Sequence, residues 1–275
     1  MDYVELNIPV ASAEQTEILT AWLADYPFDS FTSERNLLKA YIPQEQLADC
    51  KEEVDALLTE QGIEGARYVS IETQNWNALW ESNFEPVDVD GRIYIRAPFH
   101  AAPTNDALDV VIMPKMSFGT GHHATTHLMS ATIADLDLEG QCGLDMGSGT
   151  GVLAIIAAMR GAEHLDAVDI DEWADENCRE NIVTNGVADH ITPILGDASA
   201  IEGRSYDFIL ANINRNILLA DMPRYEATLR KGGTLLMSGI LDIDVASIEA
   251  RATELGMQPV ECRHKDGWAM VRVVK

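Results

Sequence analysis

At 275 residues, with 47% apolar and 23% charged side chains, the chain has an ordinary globular composition and enough length for one large domain or two of common size. No stretch reaches the roughly 20 apolar residues that span a bilayer, and Met1-Asp2-Tyr3-Val4-Glu5 lacks the basic and apolar parts of a secretion signal. A net charge of −26, from 19 basic and 45 acidic residues, argues against direct contact with nucleic-acid phosphates and leaves a basic protein partner, or plain solubility, as its meaning.

Cys50, Cys142, Cys178 and Cys262 stand far apart, without the short spacing of a zinc knuckle or a redox pair. Separate thiols suit a reducing compartment, so a cytoplasmic protein without a membrane segment is expected.

Residues 1–75 read as β-α-β-β-α-β. Tyr3 to Val10 alternates apolar and polar side chains, the signature of a strand. Ser12, with Gln15 three residues on, predicts the N-cap of a helix running to about Asp25. Phe28 to Thr32 and Leu37 to Ile42 read as strands joined by Ser33-Glu34-Arg35-Asn36. Pro43 suits the first turn of a helix carrying Leu47, Val54, Leu57 and Leu58, which Gly62 ends. Tyr68 to Thr73 is a fourth strand, and the order is that of a small ferredoxin-like sandwich.

Trp76, Trp80 and Phe84 recur every four residues, an aromatic stripe on one helical face that Pro86 stops. The spacing predicts a connecting helix packed between two domains. The expected division is therefore 1–74, a linker at 75–86 and a larger domain at 87–275.

In the larger domain, Val89-Asp90-Gly91-Arg92-Ile93 reads as strand, turn, strand. Val110 to Met113 is a strand ended by Pro114, and Ala124 to Leu136 a helix. Strict alternation follows: strand Gly143–Met146, helix Val152–Arg160, strand Leu165–Ile170, helix Glu172–Asn185 and strand Ile191–Leu195. Strand Phe208–Asn212, helix Leu218–Leu229, strand Thr234–Ser238 and helix Val245–Leu255 continue it. Such alternation means parallel strands with right-handed crossovers. Val260–His264 and Trp268–Val274 then form a hairpin about Lys265-Asp266-Gly267. An α/β doubly wound, Rossmann-like sheet closed by an antiparallel hairpin is the usual shape of methyltransferases rather than dehydrogenases.

Asp145-Met146-Gly147-Ser148-Gly149-Thr150-Gly151 joins the first strand of this alternation to its helix. Glycines there allow a tight turn and close approach of a ligand to the backbone. Asp169, at the end of the next strand, can accept both hydroxyls of a ribose. Together these fit NAD or S-adenosylmethionine. Val152 replaces the small residue of a dinucleotide fingerprint, and Asp145 is expected to face a positively charged cofactor end, which favours S-adenosylmethionine. Asp197 follows the third strand and either meets an adenine amino group or caps the next turn. Asn212 ends the fourth strand, where ligands of open sheets bind, and its amide oxygen could hold an amine. Asn214 is expected to cap the helix that follows. The loop from Met116 to Thr126 is rich in glycine and able to fold over a ligand. His122, His123 and His127 in and after it lack the glutamate of a metallohydrolase, so no metal is expected.

Three segments together resemble the PrmA family of ribosomal protein methyltransferases. They are Trp76-x3-Trp80-x3-Phe84-x-Pro86, the loop Phe118-Gly119-Thr120-Gly121 through Thr125-Thr126, and Asp145-x-Gly147-x-Gly149-x-Gly151 with Asp169 and Ala211-Asn212-Ile213. The loop departs from the family at His122 and Ala124. The resemblance implies an S-adenosyl-L-methionine-dependent enzyme, expected as a monomer, that methylates lysine or N-terminal amines of the eleventh protein of the large ribosomal subunit. Carried over by position, it implies that Thr126, Gly147, Asp169 and Asn212 contact the cofactor and that the N-terminal domain recognises substrate; Gly149 of the glycine turn and Asp197 are expected beside them, and Asn212 is the expected catalytic residue. Two other readings differ in kind. Methylation of a nucleobase amine would favour Asn-Pro-Pro-aromatic after the fourth strand, where Asn212-Ile213-Asn214-Arg215 stands. The other is a non-catalytic assembly module that holds the cofactor as a structural ligand.

Overall fold

The computed structural model describes residues 3–71, 85–115 and 119–275. The aromatic stripe from Trp76 to Phe84, and Met116, Ser117 and Phe118 of the glycine-rich loop, lie outside the described residues. Two compact units divide the chain, Met1–Phe84 and Glu85–Lys275.

The first unit contains strands β1 (Tyr3–Pro9), β2 (Ser30–Glu34), β3 (Leu37–Pro43) and β4 (Arg67–Ile71), with helices Ala13–Leu23 and Gln44–Glu60. The sheet order is β2-β3-β1-β4 with every neighbour antiparallel, a ferredoxin-like topology. Alternation in β1 turns Val4, Leu6 and Ile8 to one face, where they lie opposite Ile42, Ala40 and Leu38 of β3. Leu19, Leu23, Val54 and Leu58 of the two helices close that core. The first helix starts as its sequence dictates: Ser12 Oγ accepts the Gln15 N–H at 3.2 Å, and Gln15 Oε1 accepts the Ala11 N–H at 2.7 Å.

Strand β2 starts two residues later than the pattern of Phe28 to Thr32 predicts. The Phe28 N–H is held by the Tyr26 carbonyl at 2.7 Å, so Phe28 ends a turn and only its ring joins the core. The strand runs on through Ser33 and Glu34, and the connection to β3 shrinks to Arg35-Asn36, with Asn36 at φ 58°.

In the second unit, β5 (Val87–Val89), β6 (Ile93–Arg96) and β7 (Leu108–Val111) form a small separate sheet. A seven-stranded sheet follows, built from β8 (Cys142–Met146), β9 (His164–Asp169), β10 (Ile191–Leu195), β11 (Tyr206–Asn212), β12 (Leu229–Leu241), β13 (Gln258–Lys265) and β14 (Trp268–Val274). Its order is β10-β9-β8-β11-β12-β14-β13. The first five are parallel, and the hairpin inserts β14 antiparallel between β12 and β13. Helices Ala124–Ile133, Val152–Met159, Glu172–Thr184, Arg215–Thr228 and Val245–Glu254 accompany it. Successive residues of β11 show why both faces need cover: Phe208 and Leu210 enter one core, Ile209 and Ala211 the other. This is the α/β Rossmann-like sheet with a terminal hairpin that the alternating pattern predicts.

Strand β7 is displaced from its expected position at Val110 to Met113, because it pairs with β6 from Leu108 onward. Past that point, side chains take the place of a neighbouring strand. Asn185 receives the Val111 N–H on Oδ1 at 2.8 Å and donates to the Val111 carbonyl from Nδ2 at 2.7 Å. Fully buried Asn181 receives the Met113 N–H at 2.9 Å. Its Nδ2 donates to the Thr150 carbonyl at 2.9 Å, which joins this edge to the glycine turn. Asn181→Ala leaves those backbone groups short of partners and should lower the unfolding free energy by about 2–3 kcal/mol. Urea denaturation followed by circular dichroism measures it, and an unchanged midpoint would show that the clamp is dispensable.

Candidate functional site

In the sheet, β9 lies on one side of β8 and β11 on the other, so the strand order reverses at β8. Crossover loops diverge at such a point and leave a crevice beyond the carboxyl ends of the strands. A cavity of about 660 Å³ opens there, lined by residues from the ends of β8, β9, β10 and β11 and from the helices that follow them.

Its floor is the glycine turn. The Gly147 and Ser148 N–H groups both donate to the Val168 carbonyl, at 2.8 and 3.1 Å. Gly147 has φ 71°, and a Cβ there would collide with the Ile213 side chain. Asp169 binds the turn from the next strand: Oδ2 accepts the Gly149 N–H at 2.8 Å and Oδ1 the Asp171 N–H at 3.0 Å. Gly147, Gly149, Asp169, Asp197 and Asn212 all line the cavity, so five of the six residues singled out from sequence meet in one place. Asn212 is half-buried, and its Oδ1 is shielded from solvent without a hydrogen-bond partner among the described residues. An acceptor in that state calls for a donor.

Asp197 also caps a turn, accepting the Ser199 N–H at 2.8 Å, and its bonding to Ser199 holds the carboxyl below the usual carboxylate range. Asn214 caps helix Arg215–Thr228 by accepting the Ile217 N–H at 3.2 Å. Thr126 is not among the lining residues. It lies in the first turn of helix Ala124–Ile133, with its hydroxyl buried and without a partner among the described residues.

Asp145 does not face the cavity as the sequence reading expects. It is 1% exposed, and Oδ2 accepts the Ala154 N–H at 3.0 Å, inside the first turns of the helix that follows. A carboxylate two residues before the glycine turn thus serves the helix start instead of a ligand. Burial raises its pKa to about 7, the charge of Asp169 adds to the rise, and the Ala154 bond opposes it.

The apolar wall of the cavity carries no signature in the sequence. Ile170 and Trp173 line the cavity although 74% and 75% exposed, and Ile217 joins them. Large apolar surface left open beside a cleft is a binding surface for a flat or apolar ligand part. Asp171 and Asp221 add carboxylates, and Arg224 is the cation of the lining, paired with Asp221 at 3.0 Å. The wall therefore favours a cationic ligand with ribose-like hydroxyls. The histidines have separate engagements: His122 with the Glu85 carbonyl at 2.8 Å, His123 with Thr125 Oγ1 at 2.7 Å, and His127 with Asp90 at 3.5 Å. Among the described residues no cluster of metal-ligating side chains is found.

Residues 10–275 match the family described as "Ribosomal protein L11 methyltransferase (PrmA)". A protein called ribosomal protein L11 methyltransferase from Porphyromonas gingivalis is 42% identical over 262 residues, 93% of this chain and 89% of that protein. One of the same name from Phocaeicola vulgatus is 38% identical over 282 residues, covering 100% and 99%. A solved structure described as ribosomal protein L11 methylase, from Lactobacillus delbrueckii subsp. bulgaricus, aligns at a TM-score of 0.65 and 25% identity. That alignment covers 70% of this chain and 99% of the other.

The buried carboxyl at Asp145 makes a pH-dependent prediction. Its folded pKa, about 7, lies above the ordinary value of 3.8, so the folded state holds a proton that the unfolded chain releases. Its contribution to stability should fall as pH rises from about 4 to 7. Asn can keep the Ala154 contact without a charge to bury, so Asp145→Asn should remove that decline, gaining a few kcal/mol on the wild type by pH 7. Urea midpoints of both proteins across this range decide it, and parallel curves would contradict the assignment.

Proposed function

The chain belongs to the ribosomal protein L11 methyltransferase family, and from that membership we propose that it methylates lysine side chains, the N-terminal amine, or both, of ribosomal protein L11. The observation that carries this reading is the unpartnered Asn212 oxygen in an acidic crevice at the switch point of the sheet. The cofactor is S-adenosyl-L-methionine, and the residues present fit it. Gly147 keeps a Cβ off the floor, Asp169 lines the cavity with its carboxylate to accept ribose hydroxyls, and Ile170 and Trp173 offer apolar surface to a purine. Asp197 would accept from an exocyclic amine and the Gly149 segment would border the ligand, while Thr126, whose buried hydroxyl lies outside the lining, is assigned no contact with it.

When bound, the cofactor supplies a methyl group on a cationic sulfur, open to in-line displacement. The protein's part is then alignment and exclusion of water. A lysine amine has an ordinary pKa of about 10.4 and must lose its proton first. A neighbouring cation disfavours the ammonium form. Asn212 Oδ1, with adjacent backbone carbonyls, orients the neutral amine by accepting its N–H, and the proton leaves to water. Met146 and Ile213, which also line the cavity, keep the amine's surroundings apolar.

The first unit we assign to substrate capture. Residues 1–75 hold 15 acidic and 4 basic side chains, a net charge of −11, on a domain with none of the cofactor's glycine turns. A lysine-rich protein is drawn to such a surface, and screening should weaken the attraction.

Two experiments test these roles. With purified ribosomal protein and labelled cofactor, Asn212→Ala should lower kcat by tenfold or more, on the order of 1.4 kcal/mol, with little change in urea midpoint. Asp169→Ala should instead weaken cofactor binding in calorimetry by a few kcal/mol, the scale of lost charge-assisted hydrogen bonds. Wild-type turnover by the Asn212 variant, or labelled cofactor without transfer by the native enzyme, overturns the catalytic reading. Separately, raising ionic strength from about 0.01 M to 0.15 M shortens the Debye length from roughly 30 Å to 8 Å. KM for the ribosomal protein should rise more than KM for the cofactor, and equal responses would refute capture by charge.

A further inference from the structure

The C-terminal hairpin carries a set of side chains that the methyl-transfer site does not use. Cys262 and His264 stand two residues apart on β13, so they share a face of the strand. Cys262 borders the core that holds Ile248 and Ala252 of helix Val245–Glu254. Asp242 opens the short 3-10 turn Asp242–Asp244 ahead of that helix, and its backbone N–H donates to the Gly267 carbonyl in the hairpin turn at 3.1 Å. That bond fixes Asp242 relative to the hairpin.

The three side chains form a line. His264 Nδ1 lies 2.7 Å from Asp242 Oδ1, and His264 Nε2 lies 3.3 Å from Cys262 Sγ. A carboxylate at Nδ1 accepts a hydrogen bond from the N–H of that nitrogen, which keeps the proton there and leaves Nε2 with a lone pair facing the thiol. This is the thiol, base and orienting group of an activated nucleophile, recognised by geometry and not by sequence order. The thiol is half-buried and the other two side chains are exposed, so the relay lies at the surface.

We propose that Cys262 is a nucleophilic modification site, activated by His264 under orientation by Asp242, that exchanges with small-molecule disulfides. Sγ attacks one sulfur of the disulfide as its proton passes to His264 Nε2. The S–S bond of the reagent breaks and a new S–S bond joins Cys262 to one half. The departing thiolate carries the electron pair and takes the proton from the imidazolium, so the chain ends as a mixed disulfide with His264 neutral again. The surroundings explain why a base is required: burial, with the carboxylates of Glu249 and Asp242, keeps the thiol above its ordinary pKa and therefore protonated at neutral pH. Cys142, the other half-buried thiol, also has a raised pKa, with Glu163, Asp207, Arg230 and Asp166 as its charged neighbours. Cys50 and Cys178 are buried.

The test uses the full chain with the neutral disulfide probe dithiodipyridine, following thiopyridone release and locating the adduct by peptide mass spectrometry. Across pH 6 to 8, Cys262 should be the first site modified, and Cys262→Ser should abolish the fast phase. His264→Gln should slow that phase by roughly hundredfold or more, the scale of lost general-base assistance, and should steepen its dependence on pH. Asp242→Asn should slow it less, because the base remains but loses its orienter. These positions lie at the surface, and equal urea midpoints would confirm that each variant is folded. Modification of Cys142 ahead of Cys262, or a rate at Cys262 unchanged in His264→Gln, overturns the proposal. A rate unchanged in Asp242→Asn alone removes the orienting role and with it the relay.

Discussion

The backbone of residues 147–151 is the constraint on which the site depends. Its glycines hold φ of 71°, 54° and 80°, a path that side chains rarely follow. Its polar groups are spent on structure. Val168 takes two N–H groups, Asp169 takes that of Gly149, and the Ser148 carbonyl takes that of Gly151. Thr150 fastens the turn at two further points, with its carbonyl on Asn181 and its hydroxyl donating to the Gly119 carbonyl at 2.7 Å. The turn is therefore rigid before any ligand arrives, and binding costs little further ordering. Asp169 has a double duty in this arrangement. Because it ties Gly149 as well as lining the cavity, its loss reaches the shape of the floor along with the ligand contact.

Charge is distributed by the same logic. Two carboxylates bear on the turn, Asp145 just before it in the chain and Asp169 from the end of the next strand, and their environments separate them. Asp145 is sealed against the Ala154 N–H, where its charge is costly, while Asp169 keeps solvent access and meets the cavity. Other aspartates do structural work that resembles binding in a sequence. Asp166 is buried and satisfied by Arg204 and the Tyr206 hydroxyl, each at 2.7 Å. The acidity of the chain as a whole thus has several causes, and only the carboxylates that line the crevice bear on a cationic ligand.

Much of this was legible because it is written in local periodicity. Apolar alternation marked β1 and the succession of strands and helices marked the seven-stranded sheet, and glycine and aspartate at 90–91 and 266–267 adopt the positive φ that their hairpins need. The convergence of Gly147, Asp169, Asp197 and Asn212 follows from the rule that strand ends meet at a switch point. What was not legible depends on rotation or on distance along the chain. The sequence places Asp145 beside the turn without saying which way its carboxylate points. Pairing with β6 moves β7 toward Leu108, and the partner of its far end is supplied by asparagines about 70 residues later. Ile170 and Trp173 read as ordinary apolar residues near a helix start, and only the opened cavity shows that their surfaces are left free.

The motif Ala211-Asn212-Ile213 shows how a ligand group can be aimed without being bonded. Ile213 lies between two residues that have no side chain: its own would strike a Cβ at Gly147, and its carbonyl would strike one at Gly239. Its N–H donates to the Ser238 carbonyl at 3.2 Å, and the preceding residue is in register with Ser238 at the end of the β11 and β12 ladder. The backbone on both sides of the Asn212 amide is therefore fixed by packing and by the sheet. Its oxygen needs no internal partner to hold it, and none is found among the described residues. A buried acceptor kept unpaired costs stability, roughly 1–3 kcal/mol. Under the proposed role, that cost is recovered when the substrate amine enters and donates to the oxygen. Ile213 and the two glycines fix the backbone of the motif, and the amine-orienting role proposed for Asn212 rests on that fixed backbone.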